Sequence, residues 1–229
     1  MRITVISDTH NKHKQVTSLL PGGDLILHAG DLSSLGYKHE IESFCTWFNK
    51  LNDYDHKVFI AGNHDWMFQK DPEQARSIYT SYKWIDYIQD ETISIGDDMD
   101  KLVNIYGSPW QPEFYNWAFN LPRNGPEMEE KFSLIPDTTD ILITHGPANG
   151  FLDKTIGGWE NLGCEVLARV IKEKKPKIHV CGHIHSGYGY KFADGTHYFN
   201  ASILDEEYNF TQKPMTVFWD SETNQIEFL

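Results

Sequence analysis

Cysteine, net positive charge and long apolar runs are all scarce in this 229-residue chain. Cys45, Cys164 and Cys181 are an odd set without C-x-x-C spacing, which speaks against a disulfide framework and fits reduced thiols used as small buried hydrophobes. Twenty Lys and Arg stand against 33 Asp and Glu, a formal net charge of -13, so the surface repels a polyanion and long nucleic acid is a poor partner. Bound divalent cations can still make one cleft locally positive on such a protein. No run approaches the roughly 20 apolar residues of a membrane span. The segment MRITVISDTH reaches Asp8 too soon to hold the apolar region of a signal peptide. The expectation is a cytoplasmic protein without a membrane partner. Low-complexity and repeated segments are also missing, and 40% hydrophobic with 23% charged residues is ordinary globular usage. Residues 1–229 therefore read as one domain with one sizeable core.

What is present is a series of short β-branched apolar runs: Ile3 to Ile6, Leu25 to Leu27, Val58 to Ile60, Val103 to Tyr106, Ile141 to Ile143 and Ile178 to Val180. Each has strand length, and several are apolar on successive residues, which predicts strands buried on both faces in an α/β sandwich. Helical periodicity lies between them. Ile41, Phe44, Trp47, Phe48 and Leu51 share a face in His39 to Asn52, as do Val166, Leu167, Val170 and Ile171 in Gly163 to Lys175. His197 to Ala201, Met215 to Trp219 and Gln225 to Leu229 read as strands that complete a second sheet in antiparallel fashion.

Five of the runs lead directly into polar residues: Asp8-Thr9-His10, Gly30-Asp31, Gly62-Asn63-His64-Asp65, Thr144-His145-Gly146 and Gly182-His183-Ile184-His185. The C-terminal edge of an open α/β sheet is where sites are built. Two divalent ions about 3.5 to 4 Å apart clamp a phosphoryl group and deprotonate a water, and they need a bridging carboxylate. Asp31 suits that task because Gly30 lets the backbone turn sharply. Asp8 and His10 point to one side if the chain there is extended. His183 and His185 have the same spacing, and a tight turn after Gly182 would send them to different ions. Asn63 offers an amide oxygen and His145 an imidazole. Mixed N and O ligands suit Mn, Fe, Zn or Ni, manganese favoured, better than Ca. His64 is left over as a general acid, with Asp65 as its orienting partner. His13, His28, His39, His56, His179 and His197 have no such placement and read as surface or satisfied core residues.

This ordered set resembles the calcineurin-like metallophosphoesterase superfamily over residues 8 to 185. The resemblance implies a four-layer α/β/β/α sandwich, two mixed central sheets flanked by helices. It places Asp8, His10, Asp31 and His185 on one metal, with Asp31, Asn63, His145 and His183 on the other. It also supports His64 as proton donor. Gly107-Ser108-Pro109-Trp110, Trp117-x-Phe119-Asn120-Leu121, His145-Gly146-Pro147 with Gly150 to Asp153, and Gly182 to Gly189 followed by Asn200-Ala201-Ser202 are similar to the MPPED-type phosphodiesterases. That narrower resemblance implies phosphodiester substrates, cyclic nucleotides included.

The residues themselves say less about substrate. Trp110, Phe114, Tyr115, Trp117 and Phe119 crowd a loop rich in Pro and Asn, where Trp110 and Trp117 either stack on a nucleobase or form a small core that pins the loop. Tyr188, among glycines, is a further substrate-binding candidate or a turn residue. The leading expectation is hydrolysis of small phosphodiesters by a metal-bridged hydroxide with His64 as acid. A phosphomonoesterase using the same metals is the alternative, and no arginine lies inside the five motifs to hold a dianionic phosphate. A non-catalytic protein-binding scaffold is the remaining reading, and the presence of His64 counts against it. Oligomeric state stays open.

Overall fold

The computed structural model describes residues 1–96, 102–158 and 160–229. The apolar runs become strands because successive side chains feed separate cores. In the strand β1 (Arg2–Ile6), Ile3 and Val5 join one cluster while Ile6 joins another, and in β2 (Gly23–His28) Leu25 and Leu27 part from Ile26 in the same way. Completely burying a side chain of this size stabilises by roughly 1.5–3 kcal/mol.

With β3 (Tyr54–Phe59), β4 (Asp86–Tyr87) and the late strands β13 (Met215–Asp220) and β14 (Gln225–Phe228), these form a six-stranded sheet of order β14-β13-β1-β2-β3-β4. The second sheet holds β5 (Glu91–Ile95), β6 (Val103–Ser108), β9 (Ile141–Thr144), β10 (Ile178–Cys181), β11 (Gly189–Ala193) and β12 (Thr196–Asn200), in the order β11-β12-β10-β9-β6-β5. A short parallel pair, β7 (Gln111–Pro112) and β8 (Asn120–Leu121), lies in the aromatic loop. Both large sheets are mixed: β1-β2-β3 and β6-β9-β10-β12 are parallel, whereas β13, β14, β5 and β11 pair antiparallel.

The sheets pack face to face through Ile3, Val5, Leu25 and Val58 against Ile105, Ile141, Ile143 and Val180. On the outer face of the first sheet, α2 (Lys38–Asn49) buries Ile41, Phe44, Trp47 and Phe48 against Ile26 and Phe59. The short helices α1 (His13–Val16), α3 (Trp66–Lys70) and α4 (Pro72–Tyr79) add Val16, Phe68, Ala75 and Ile78 to the same cluster. On the outer face of the second sheet, α5 (Pro126–Ser133) and α6 (Glu165–Lys174) bury Met128, Phe132, Val166, Leu167, Val170 and Ile171 against Tyr106, Leu142 and Tyr198. The result is the expected α/β/β/α sandwich. No helix of the described residues is long and apolar enough to cross a membrane.

The C-terminal third departs from expectation. β12 lies in the second sheet but parallel to β10, and β13 and β14 return to the first sheet, β13 antiparallel to β1 and β14 antiparallel to β13. The unread element is β11, which forms a hairpin with β12 across Asp194-Gly195, both at positive φ (53° and 89°). Asp-Gly is the turn whose twist suits a two-residue hairpin.

Candidate metal centre

The ends of β1, β2, β9 and β10 bring the polar residues to one edge. There the chain leaves extended geometry: φ is 55° at Asp8, 38° at His10, 55° at Asp31 and 66° at His183. Left-handed backbone at non-glycine residues costs about 1–3 kcal/mol each and clusters where function demands a particular side-chain direction. Asp8 and His10 therefore converge by a tight left-handed turn instead of by strand alternation. Gly182 is needed for close approach, since a Cβ there would stand 2.1 Å from Asp8 Oδ2. Gly30, at φ 98°, would drive a Cβ to 2.7 Å from His145 Nδ1.

Asp31 sits at the centre. Its Oδ2 is 3.5 Å from His10 Nε2, 3.4 Å from His145 Nε2 and 4.0 Å from His64 Nε2. Asp8 Oδ1 lies 3.5 Å from His185 Nε2, and Asn63 Oδ1 is 2.9 Å from His145 Nε2. The His183 ring stands beside that of His145, centroids 5.1 Å apart, so the two histidines after Gly182 go to opposite ends of the cluster. Three overlapping groups place ligand atoms within 4.8 Å of one another: Asp8, His10 and His185; His10, Asp31 and His64; and Asp8, Asp31 and His145.

The imidazoles are anchored from behind. Nδ1 of His10, His64, His145 and His185 faces the carbonyls of Ser33, Ser34, Ala29 and Asp205, at 3.1, 2.7, 2.9 and 2.8 Å. In the candidate ligands His10, His145 and His185, an Nδ1–H donated to a carbonyl leaves the Nε2 lone pair facing inward, the tautomer of a metal-bound histidine. Burial lowers the His10 pKa to about 4 and that of His183 to about 3, so both rings are neutral, as ligands must be. His10 Nε2 is buried without a hydrogen-bond partner. Burial opposes ionisation of Asp8 and Asp31, yet histidine hydrogen bonds and charges outweigh it and hold both well below the usual carboxylate range. Burial likewise disfavours protons on His145 and His185, but the hydrogen bonds and charges of Asp31 and Asp8 raise both to about 9. Two sunken carboxylates thus have only histidines as ion-pair partners among the described residues, and an unpaired imidazole nitrogen aims between them. Divalent cations fit that donor set.

Other expected residues are placed differently. Asp65 does not orient the His64 ring. Its carboxylate accepts from the amides of Leu32, Ser33 and Gly62 and from Ser33 Oγ, fastening the Asp31 loop to the Asn63 loop. The His64 ring is held instead by Ser34 O. Trp110 donates to Asp90 Oδ2 at 2.8 Å under Lys131, which pins the loop, and it is not among the residues that line the cleft. Tyr188 donates to Lys213 O and packs against the inter-sheet core, and it is not among the residues that line the cleft. Trp117 is at the site, stacked on His64 with centroids 4.0 Å apart.

Sequence reasoning missed Tyr208, whose ring lies 4.9 Å from His10 and 5.4 Å from His185, and Glu206, which lines the cleft. Both lie within the turn that Asp205 holds through the amides of Glu207 and Asn209, and no motif flanks them. It also missed the support given by His28. Nε2 of this buried ring meets Thr9 Oγ1 at 3.0 Å, and its Nδ1 accepts from Gly30 N at 3.3 Å, bracing two metal-facing loops at once.

The family model described as calcineurin-like phosphoesterase matches residues 1–187. The human protein named metallophosphoesterase domain-containing protein 1 is 38% identical over 238 residues, which span 94% of this chain and 70% of that one. Among solved structures, TT1561 of Thermus thermophilus superposes with a TM-score of 0.67 at 14% identity, covering 99% of this chain and 97% of that one. A novel archaeal phosphodiesterase gives 0.51 at 14% identity, covering 100% and 99%. At such identity the two structures speak for the fold alone.

Proposed function

Because the chain belongs to the calcineurin-like phosphoesterase family, we propose that it is a metal-dependent hydrolase of small phosphodiesters, with His64 as general acid. Two divalent transition-metal ions, held by Asp8, His10, Asp31 and His185 and by Asp31, Asn63, His145 and His183, would supply Lewis acidity and a nucleophilic water at neutral pH. The chain itself does the rest. The backbone carbonyls behind the rings hold the nitrogens in place, and Asp65 locks the two loops that carry Asp31 and Asn63 together. His64, fixed by Ser34 O and by stacking on Trp117, presents Nε2 to a leaving oxygen and gives it a proton.

One observation carries the preference for diesters. Among the described residues, the cleft over the cluster is lined by Asp31, Asn63, His64, Phe114, His183, His185, Glu206 and Tyr208, with no lysine or arginine and one additional carboxylate. Beyond the metals, a dianionic monoester would find no cationic side chain lining the cleft for its second charge and would face Glu206. A monoanionic diester avoids both costs. Metal-reconstituted protein should turn over bis(p-nitrophenyl) phosphate and a cyclic nucleotide with kcat/KM well above that for p-nitrophenyl phosphate. A monoester turned over as fast as the diesters would overturn the preference. If all three stay intact with two metals bound, the hydrolase reading itself fails.

A further inference from the structure

Beside the cleft lies a cavity of about 210 Å³, and Phe114, His183 and Glu206 line both. Its other walls are largely apolar: Pro112 from β7, Pro147 after His145, Leu162, and Ile184. His64 lines the cleft but not the cavity. Arg123 reaches the wall, yet its guanidinium is spent on Leu162 O (2.7 Å), Gly163 O (2.8 Å) and Glu165 (2.8 Å). The remaining charge is negative, from Glu113 and from Glu206, which is held by Ser186 N at 3.2 Å.

We infer that this cavity receives the ester arm that remains on phosphorus, and that it selects an uncharged, single-ring arm. The inference rests on the diester reading above and gives it a direction. In hydrolysis the oxygen of water forms a bond to phosphorus and loses a proton to solvent. The P–O bond to the leaving arm breaks, and that oxygen takes the proton of His64. Entering and leaving oxygens lie roughly in line through phosphorus, so the leaving arm occupies the end where His64 and Trp117 stand. The retained arm projects sideways, and the space open to it is on the His183 side. The volume is below the roughly 300–1,000 Å³ of pockets for drug-sized ligands, which suits one ring and excludes a long chain. The two glutamates disfavour an arm that bears a second phosphate.

The test keeps p-nitrophenol as leaving group and varies the retained arm, comparing methyl and phenyl p-nitrophenyl phosphate on metal-loaded protein. Wild type should favour the phenyl ester in kcat/KM by about 10-fold or more, the usual worth of filling an apolar pocket. Leu162→Trp, at an exposed position that tolerates bulk, fills the cavity and should collapse that ratio toward unity. Leu162→Ala should move the optimum toward a larger ring. Metal content and Tm of each variant show that folding and the metal centre persist. Equal constants for the two esters in wild type, or a ratio untouched by Leu162→Trp, overturns the assignment of the cavity while the diester reading stands. If Leu162→Trp alters the dependence on leaving-group pKa instead, the cavity takes the departing arm and the direction inferred here is wrong. Failure of wild type on both esters sinks the parent reading.

Discussion

His64 is the residue at which the proposed chemistry is easiest to break cleanly, and His64→Ala separates two tasks that the geometry allows. Its Nε2 is 4.0 Å from Asp31 Oδ2, against 3.5 Å for His10 and 3.4 Å for His145. The ring also lines the open cleft and stacks on Trp117, whereas His145 is wholly buried. A ring set back from Asp31 and facing the cleft fits the proposed acid better than a ligand. General acid catalysis contributes typically about 10²–10⁴-fold, which at about 1.36 kcal/mol per tenfold is roughly 2.7–5.5 kcal/mol of barrier. That whole amount should be lost for an alkyl leaving group, whose alkoxide needs the proton. For p-nitrophenoxide, stable without one, the loss should shrink to a few-fold. The assay is kcat for a pair of diesters with a common retained arm, with metal stoichiometry by elemental analysis on the same samples. Equal losses on both leaving groups at full metal content would refute the acid role. Loss of one ion per chain would make His64 the ligand that the group His10, Asp31 and His64 also permits.

Trp110→Ala and Trp117→Ala should part company. The first removes the bond to Asp90 and costs about 3 kcal/mol in urea unfolding with diester kcat/KM kept, while the second frees His64 and lowers kcat by about 10- to 100-fold. Gly182→Ala places a methyl where Asp8 Oδ2 stands, so elemental analysis should find the ion of Asp8, His10 and His185 weakened or lost although the fold survives by circular dichroism. Stripped of metal, the protein should be most stable near pH 6.5. His145 and His185 are raised from 6.5 to about 9, so their contribution is complete below 6.5 and is lost as pH rises through about 9. His10 and His183 are lowered to about 4 and 3, so theirs is present above 6.5 and is lost as pH falls through those values. Thermal melts of chelator-treated protein from about pH 4 to 10 that show no decline above 7 would contradict this. Restoring an ion at 100 times its Kd should add about 2.7 kcal/mol, a Tm rise of about 5–10 °C for a chain of this size, and the gain should grow with pH as the histidine protons are displaced.

Much of this molecule was legible because the constraints on it are local. A strand buried on both faces must be apolar on successive residues, so Ile3 to Ile6 and Ile141 to Ile143 declare themselves, and α6 buries the four residues that its period marks. Candidate ligands are legible for a related reason: few side chains bind divalent ions, and those few recur directly after the strands. Their supporting contacts follow no such rule. Ser33, Ser34, Ala29 and Asp205 act on the imidazoles through backbone carbonyls, which every residue possesses, so no residue type marks them. Adjacency misled in the same way. Asp65 follows His64 in the chain, yet the α3 helix begins there, and Asp65 turns back to amides 32 and 33 residues away in sequence while the ring beside it turns to Ser34. Trp110 and Trp117, on one loop, end on opposite duties because Asp90 and Lys131 capture one indole and His64 the other. Chemistry that depends on what a side chain is can be read along the chain. Chemistry that depends on what it meets, such as which arm of a diester lies against Leu162 and which against Trp117, has to be read across the fold.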